Sequence, residues 1–353
     1  MSYTNGLDKP ELYFQTKLYT GNGSAGHAIT LDGSEDMAPD FIWIKQRDSR
    51  DHFLFDTING ATKYVASNTA ASLATDANTL TAFGSDGFTL GNGVGCNENN
   101  DTHVAWCWKA GTSFTNDASS TGIGSLDSSG TVNDTAGFSI VKYTGNGSSG
   151  ATIKHGLSTA PTAMFVRQYD ASAGFQVYNV GTGNTKFAGY LNVTDAAGTT
   201  AGAWNNTTPT SSVFTVGNGG NTNTNNGTHF AFCFSERQGF SKFGLYAANE
   251  NVDGTFIYLG FKPAFVILKQ SNLVRDWHMF DAKRSTFNAV SKYLRPNSSG
   301  SEDSGEEYVD FLSNGFKIKN TGNRFNDAGG TYTYYAWAEQ PFVTSGGVPA
   351  TAR

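Results

Sequence analysis

Six histidines, three cysteines and a scatter of carboxylates are the groups in this 353-residue chain that could do chemistry. A general base must sit beside a nucleophile, and a metal needs several donors at short, regular spacing. His103 and His229 occupy matching settings, THVAWCW and THFAFCF, while a third setting, TYYAWAE, carries Tyr334 in that place. A base that yields to tyrosine in another copy reads as a strand-packing residue. His52 and His278 also fall near one another in the repeat, beside a polar-to-aromatic switch, with no serine elbow or H-E-x-x-H around them. Cys96, Cys107 and Cys233 lack CxxC spacing and read as small buried residues.

Paired acids could cleave glycosides. The acidic cluster is SEDSGEE, with Glu302, Asp303, Glu306 and Glu307, and its Ser/Gly setting reads as a solvated loop. NENND at 97–101 offers oxygen ligands for calcium without the spaced EF-hand pattern. No catalytic residue, metal or cofactor is assigned, and no enzyme is expected. The segment YTGNG occurs at 19–23 and again at 143–147. It approaches a phosphate-cradling loop but lacks the lysine and the helix of one, so it reads as a turn where glycine supplies positive φ. The remaining candidate is a sugar site. Trp204, with Asn205 and Asn206 beside it in AGAWNNTTP, could stack on a ring while the amides read hydroxyls. The alternative is a turn aromatic that covers the edge of the core.

The elements that must position these residues are strands. Charged residues are only 15% of the chain and 42 residues are glycine, so Asn, Thr and Ser must supply the polar surface. Such residues disfavour helix interiors, and Thr, Tyr, Phe and Trp favour strands. The net charge of −6, with no Lys/Arg stripe, argues against nucleic acid as a partner. No apolar run is long enough to span a membrane, and the N-terminus lacks the marks of a signal peptide.

Internal repeats decide the organisation. PDFIWIKQ (39–46), PTAMFVRQ (161–168) and PAFVILKQ (263–270) are three versions of one strand. TKYVASN, KFAGYLN and SKYLRPN follow in order, then SDGFTLGN, SVFTVGN and SNGFKIKN, then the three aromatic closures. Tyr19, Tyr143 and Tyr246 open the units, although the glycines of YTGNG have drifted in the third. The expected fold is all-β, with three tandem related β-sandwich units of the jelly-roll, concanavalin-lectin-like kind at 14–110, 138–236 and 237–342. Residues 1–13 are expected to be an attachment arm and 343–353 a tail. The Ser/Gly/Thr-rich stretch 111–137 reads as a linker that sets the first unit apart, while the short join ERQGFSKF packs the second against the third.

This ordered set, with the closing GFSKFGLY, GFKPAFVILK, DFLSNGFKIK and GGTYTYYAWAEQPF, resembles repeated domains in structural proteins of tailed bacteriophages, particularly marine and cyanobacterial ones. The resemblance covers about residues 13–342. It implies a component of the virion exterior with a lectin-like fold and no known chemistry. Such a protein is made in the host cytoplasm, without a secretion signal or disulfides. The leading expectation is a tail fibre or appendage that contacts the host surface, with a glycan as a candidate receptor. A capsid or tail decoration protein, held by the N-terminal arm, is the alternative. A polysaccharide depolymerase ranks last, because the repeats keep no acidic pair. Expected partners are other virion proteins, further copies of the chain as a homotrimer and a host-surface glycan, with neither nucleic acid nor membrane among them.

Overall fold

The computed structural model describes residues 7, 9–183, 186–199, 201–306, 308–322 and 324–340; the expected tail at 343–353 and residues 1–6 and 8 of the expected arm lie outside them. The chain is all-β, with antiparallel sheets and helical turns of three or four residues. Among the described residues, no helix is long and apolar enough to cross a membrane.

One strand order recurs three times. The opening strand (Phe14–Thr20, Phe138–Thr144 or Ser241–Ala247) pairs with the closing strand (Thr102–Trp108, Thr228–Phe234 or Thr331–Trp337). The closing strand pairs in turn with the proline strand (Phe41–Gln46, Ala163–Gln168 or Phe265–Gln270). The fourth strand (His52–Asp56, Gln176–Asn179 or Trp277–Asp281) then completes the order. A smaller sheet, from strands at 27–30, 80–84 and 87–90 in the first unit, packs on one face; its counterparts lie at 151–154 and 213–216, and at 256–258, 309–312 and 315–318.

Side-chain alternation sends the main sheet of each unit into two cores. In the first unit Ile42, Ile44, Ala105 and Cys107 face the small sheet through Ile29, Phe88 and Leu90. Phe41, Trp43, Trp106 and Trp108 face the other way, into a cluster that all three units share. The proline strands are therefore buried at every position. Trp108, Phe234 and Trp337 hold one position in the three closing strands, and their rings meet. Centroids lie 5.5 Å apart for Trp108–Trp337, 5.3 Å for Phe234–Trp337 and 6.4 Å for Trp108–Phe234. The three sheets thus converge on an approximate threefold axis inside one chain. Each fully buried aromatic there contributes about 1.5–3 kcal/mol.

Loops lock the ring in one rotational sense. The loop after the fourth strand of each unit reaches the proline-strand region of the next unit. Arg167 Nη1 donates to Ala66 O at 2.8 Å, and Ala173 N donates to Ala70 O at 2.9 Å. Trp277 Nε1 donates to Tyr190 O at 3.0 Å, and Ala197 N to Ser271 O at 2.7 Å. The third loop closes the circle onto the first unit, where the Arg47 fork meets Glu302 at 2.7 and 3.0 Å and His52 Nε2 bonds Arg295 O at 2.9 Å. Burial works against the Glu302 carboxylate, but Arg47 and Arg284 outweigh it and hold its pKa below the ordinary value.

Three expectations need correction. The first unit is not set apart, because its Phe14, Phe41 and Trp108 sit in the shared core. The stretch 111–137 is not a linker. Thr112–Asn116 and Ser128–Asn133 form a hairpin that extends the second unit's sheet along Phe138–Thr144. Its small residues looked flexible, yet strand pairing uses backbone groups that every residue but proline supplies. Gly130 is required there, since a Cβ would collide with Ile140 O. Finally, the third closing strand is displaced by two residues from the sequence alignment. Tyr246 lies opposite Tyr332, as Tyr19 does opposite His103 and Tyr143 opposite His229, so Tyr332 and not Tyr334 holds the histidine position.

Candidate functional site

YTGNG builds the loop end of each unit. Tyr19 Oη donates to Cys96 O at 2.7 Å, Tyr143 Oη to Thr222 O at 2.6 Å and Tyr246 Oη to Phe325 O at 2.9 Å. The next residue of that second loop is a buried asparagine that clasps the turn. Asn97 Oδ1 accepts from Asn22 N at 2.9 Å, while its Nδ2 donates to Ser24 O and Gly91 O at 2.9 and 2.6 Å. Asn223 repeats this with Asn146, Ser148 and Gly217, and Asn326 with Asn249 and Asn251. Gly23 and Gly147 have φ of 66° and 69°, and Glu250 takes φ 59° at that place in the third unit. A Cβ at Gly21 or Gly145 would collide with the facing loop backbone. The motif is a structural clasp whose constant member is the asparagine.

Two residues before each clasping asparagine, the units diverge. Gly95 fills this place in the first unit, where a Cβ would collide with the Phe53 ring and the position is closed. Asn221 stands there in the second, beside a cleft of about 210 Å³ that Gly174, Tyr190, Asn192 and Asp195 also line. Arg324 stands there in the third, in a cleft of about 300 Å³ with Glu306, Tyr308, Asn320 and Gly322. His278 replaces Phe53 in that unit.

The third cleft has an organised floor. Tyr293 Oη donates to Asp303 Oδ2 at 2.5 Å, and Arg295 Nη2 reaches the same oxygen at 2.8 Å. Arg324 Nη1 donates to Tyr293 Oη at 2.5 Å, and its guanidinium lies 5.8 Å from the Tyr293 ring centroid. On the rim, Asn320 Nδ2 donates to Glu306 Oε2 at 3.1 Å. Burial and the nearby Asp303 carboxylate push the Tyr293 hydroxyl up, so it stays protonated. The cleft therefore presents a half-exposed guanidinium, a carboxylate, an amide and a phenol.

The residues expected to bind sugar do not form a site. Trp204 is 1% exposed and packs edge-on to Tyr178 at 5.7 Å, so neither face can receive a ring. Asn205 and Asn206 adopt left-handed φ of 49° and 51° and turn the chain behind it. The alternative reading of Trp204, as cover for the core, holds. His103 and His229 stack on Tyr19 and Tyr143 at 4.9 and 5.2 Å, and burial lowers the pKa of both, that of His103 to about 4. Cys96, Cys107 and Cys233 are buried free thiols whose pKa burial raises.

The acidic cluster is not merely solvated, since Glu302 closes the ring and Asp303 holds the cleft floor. KNTGNRFN set against GNGVGCN and GNGGNTN displays Arg324 where the other copies carry glycine or asparagine, and that comparison is the signal in the sequence that marks it. The apolar cavity of about 20 Å³ among Phe41, Trp43, Trp108, Phe234 and Trp337 lies inside the shared core and offers no polar group to a ligand.

A family model described as a domain of unknown function, DUF7483, matches residues 9–341. The chain belongs to this family. The match crosses all three units, so the DUF7483 domain corresponds to the closed ring and not to one copy. No curated protein matches the chain.

Proposed function

We propose that this chain is a non-enzymatic component of a phage virion exterior, a tail fibre or appendage that contacts the host surface through glycan. In this reading it consists of three related sandwich units of the jelly-roll, lectin-like kind, made in the host cytoplasm and held in the particle by other virion proteins. The ordered motif set that resembles tailed-phage structural proteins supports the location. The observation that carries the contact role is the divergence of Gly95, Asn221 and Arg324 at one place in a retained clasp. A rigid core with loop ends that vary is how a scaffold carries recognition. Self-association, as a homotrimer, would use surface outside the shared core.

The test is binding of the labelled, full chain to host cells and to an array of bacterial surface glycans. Saturable binding that free glycan competes away is expected. Consistent non-binding to cells and array would overturn the contact role and leave a decoration protein.

A further inference from the structure

The donor set of the third-unit cleft restricts its ligand. We propose that this cleft takes a neutral sugar through two adjacent hydroxyls and rejects acidic sugars, an inference that rests on the glycan-contact reading above. Arg324 and Glu306 line it, with Asp303 and Arg295 behind the arginine. Asp303 accepts from Arg295 at 2.8 Å and lies 3.8 Å from Arg324 Nη1, so the arginine charge is already answered from the floor. Glu306, exposed on the rim, is held by an uncharged amide, Asn320 Nδ2 at 3.1 Å. An acidic ligand would bring a further negative charge against Glu306, which is a repulsive element of the kind that sets specificity.

A sugar hydroxyl fits better because it donates and accepts at once. Arg324 can only donate and a carboxylate can only accept. Adjacent hydroxyls satisfy both walls in one pose, one oxygen accepting from Arg324 and the next donating to Glu306. With Nη1 engaged on Tyr293 Oη at 2.5 Å and Tyr308 Oη at 3.4 Å, the guanidinium is held in place before a ligand arrives. Its side chain is still 47% exposed. In the first unit Gly95 and Phe53 close this place, and in the second Asn221 stands there, so the third unit carries the arginine.

The experiment titrates the full chain with mannohexaose, maltohexaose and galactohexaose as neutral probes, and with hexagalacturonate and sialyllactose as acidic ones. Saturation-transfer NMR and calorimetry supply the readouts. At least one neutral probe is expected to bind, with the acidic ones about tenfold or more weaker. Arg324→Ala should weaken the neutral probe about tenfold, the scale of one charged hydrogen bond. Glu306→Gln should shift selectivity toward the acidic probes, which a merely structural glutamate would not do. If Arg324→Ala fails to fold, Glu306→Gln on the exposed rim carries the test. Tighter binding of acidic probes by the wild-type chain overturns the ligand class while leaving the glycan-contact reading intact. Neutral binding that ignores both substitutions overturns the site. Silence from every probe overturns the inference, and where the chain also fails the cell and array assay the glycan-contact reading falls with it.

Discussion

Trp337→Ala should destabilise the whole chain and not only its third unit. Trp337 is 1% exposed, and its ring lies 6.4 Å from Phe14, 5.5 Å from Trp108, 5.3 Å from Phe234 and 5.6 Å from Phe265, so it touches all three units. Truncating a tryptophan so enclosed costs about 3–5 kcal/mol, because the cavity cannot collapse against three rigid sheets. An unfolding entropy of about 2.1 cal/mol/K per residue over this length converts that loss to a fall of about 4–7 °C in Tm. The assay is thermal unfolding combined with native-state hydrogen exchange read by mass spectrometry. Faster exchange is expected in the proline strands 41–46, 163–168 and 265–270 together. Wild-type protection of strands 41–46 and 163–168, with loosening of 265–270 alone, would refute a core shared by the three units.

Other outcomes follow from the same geometry. Asn97→Ala removes a fully buried clasp with several hydrogen bonds; it should lower stability by about 2–3 kcal/mol and raise exchange at residues 21–26. Equal protection there in the variant would refute the clasp. Burial raises the pKa of Glu339 to about 7, more than the Lys283 ion pair lowers it. The native state therefore holds this proton more tightly than the unfolded chain, so Glu339 costs stability as pH rises from about 4.5 to 7. Glu339→Gln should flatten that slope in denaturant titrations across pH, and an unchanged slope would refute the assignment. The three buried thiols should react with a disulfide reagent only as the chain opens, and faster in Trp337→Ala. Rapid labelling of the native wild-type chain would contradict their placement.

The repeat was legible because Tyr19, Tyr143 and Tyr246 and the three proline strands keep their order. The two-residue displacement of the third closing strand was not. Strand side chains alternate with period two, so TYTYYAW and TYYAWAE place aromatics on the same faces. The shared core was hidden for a related reason. FIWIKQ and FVILKQ are short apolar runs, and nothing in such a run says whether both faces are buried or whether a second face packs in the same unit or the next. Trp204 beside two asparagines looks alike whether its ring points outward or inward, and the short helical turn Ala201–Trp204 points it inward. Arg324 could have been found by comparing the copies, since it replaces a residue that is otherwise small. The floor beneath it could not, because Tyr293, Asp303 and Arg324 are brought together only by the fold.

The proposed place of this chain is the outside of a virion, in contact with the host. Antibodies raised against the folded full chain and applied to intact particles probe that placement. They are expected to decorate the particle surface in electron micrographs and to block adsorption to host cells. Particles that carry the chain but bind antibody only after disruption would contradict it.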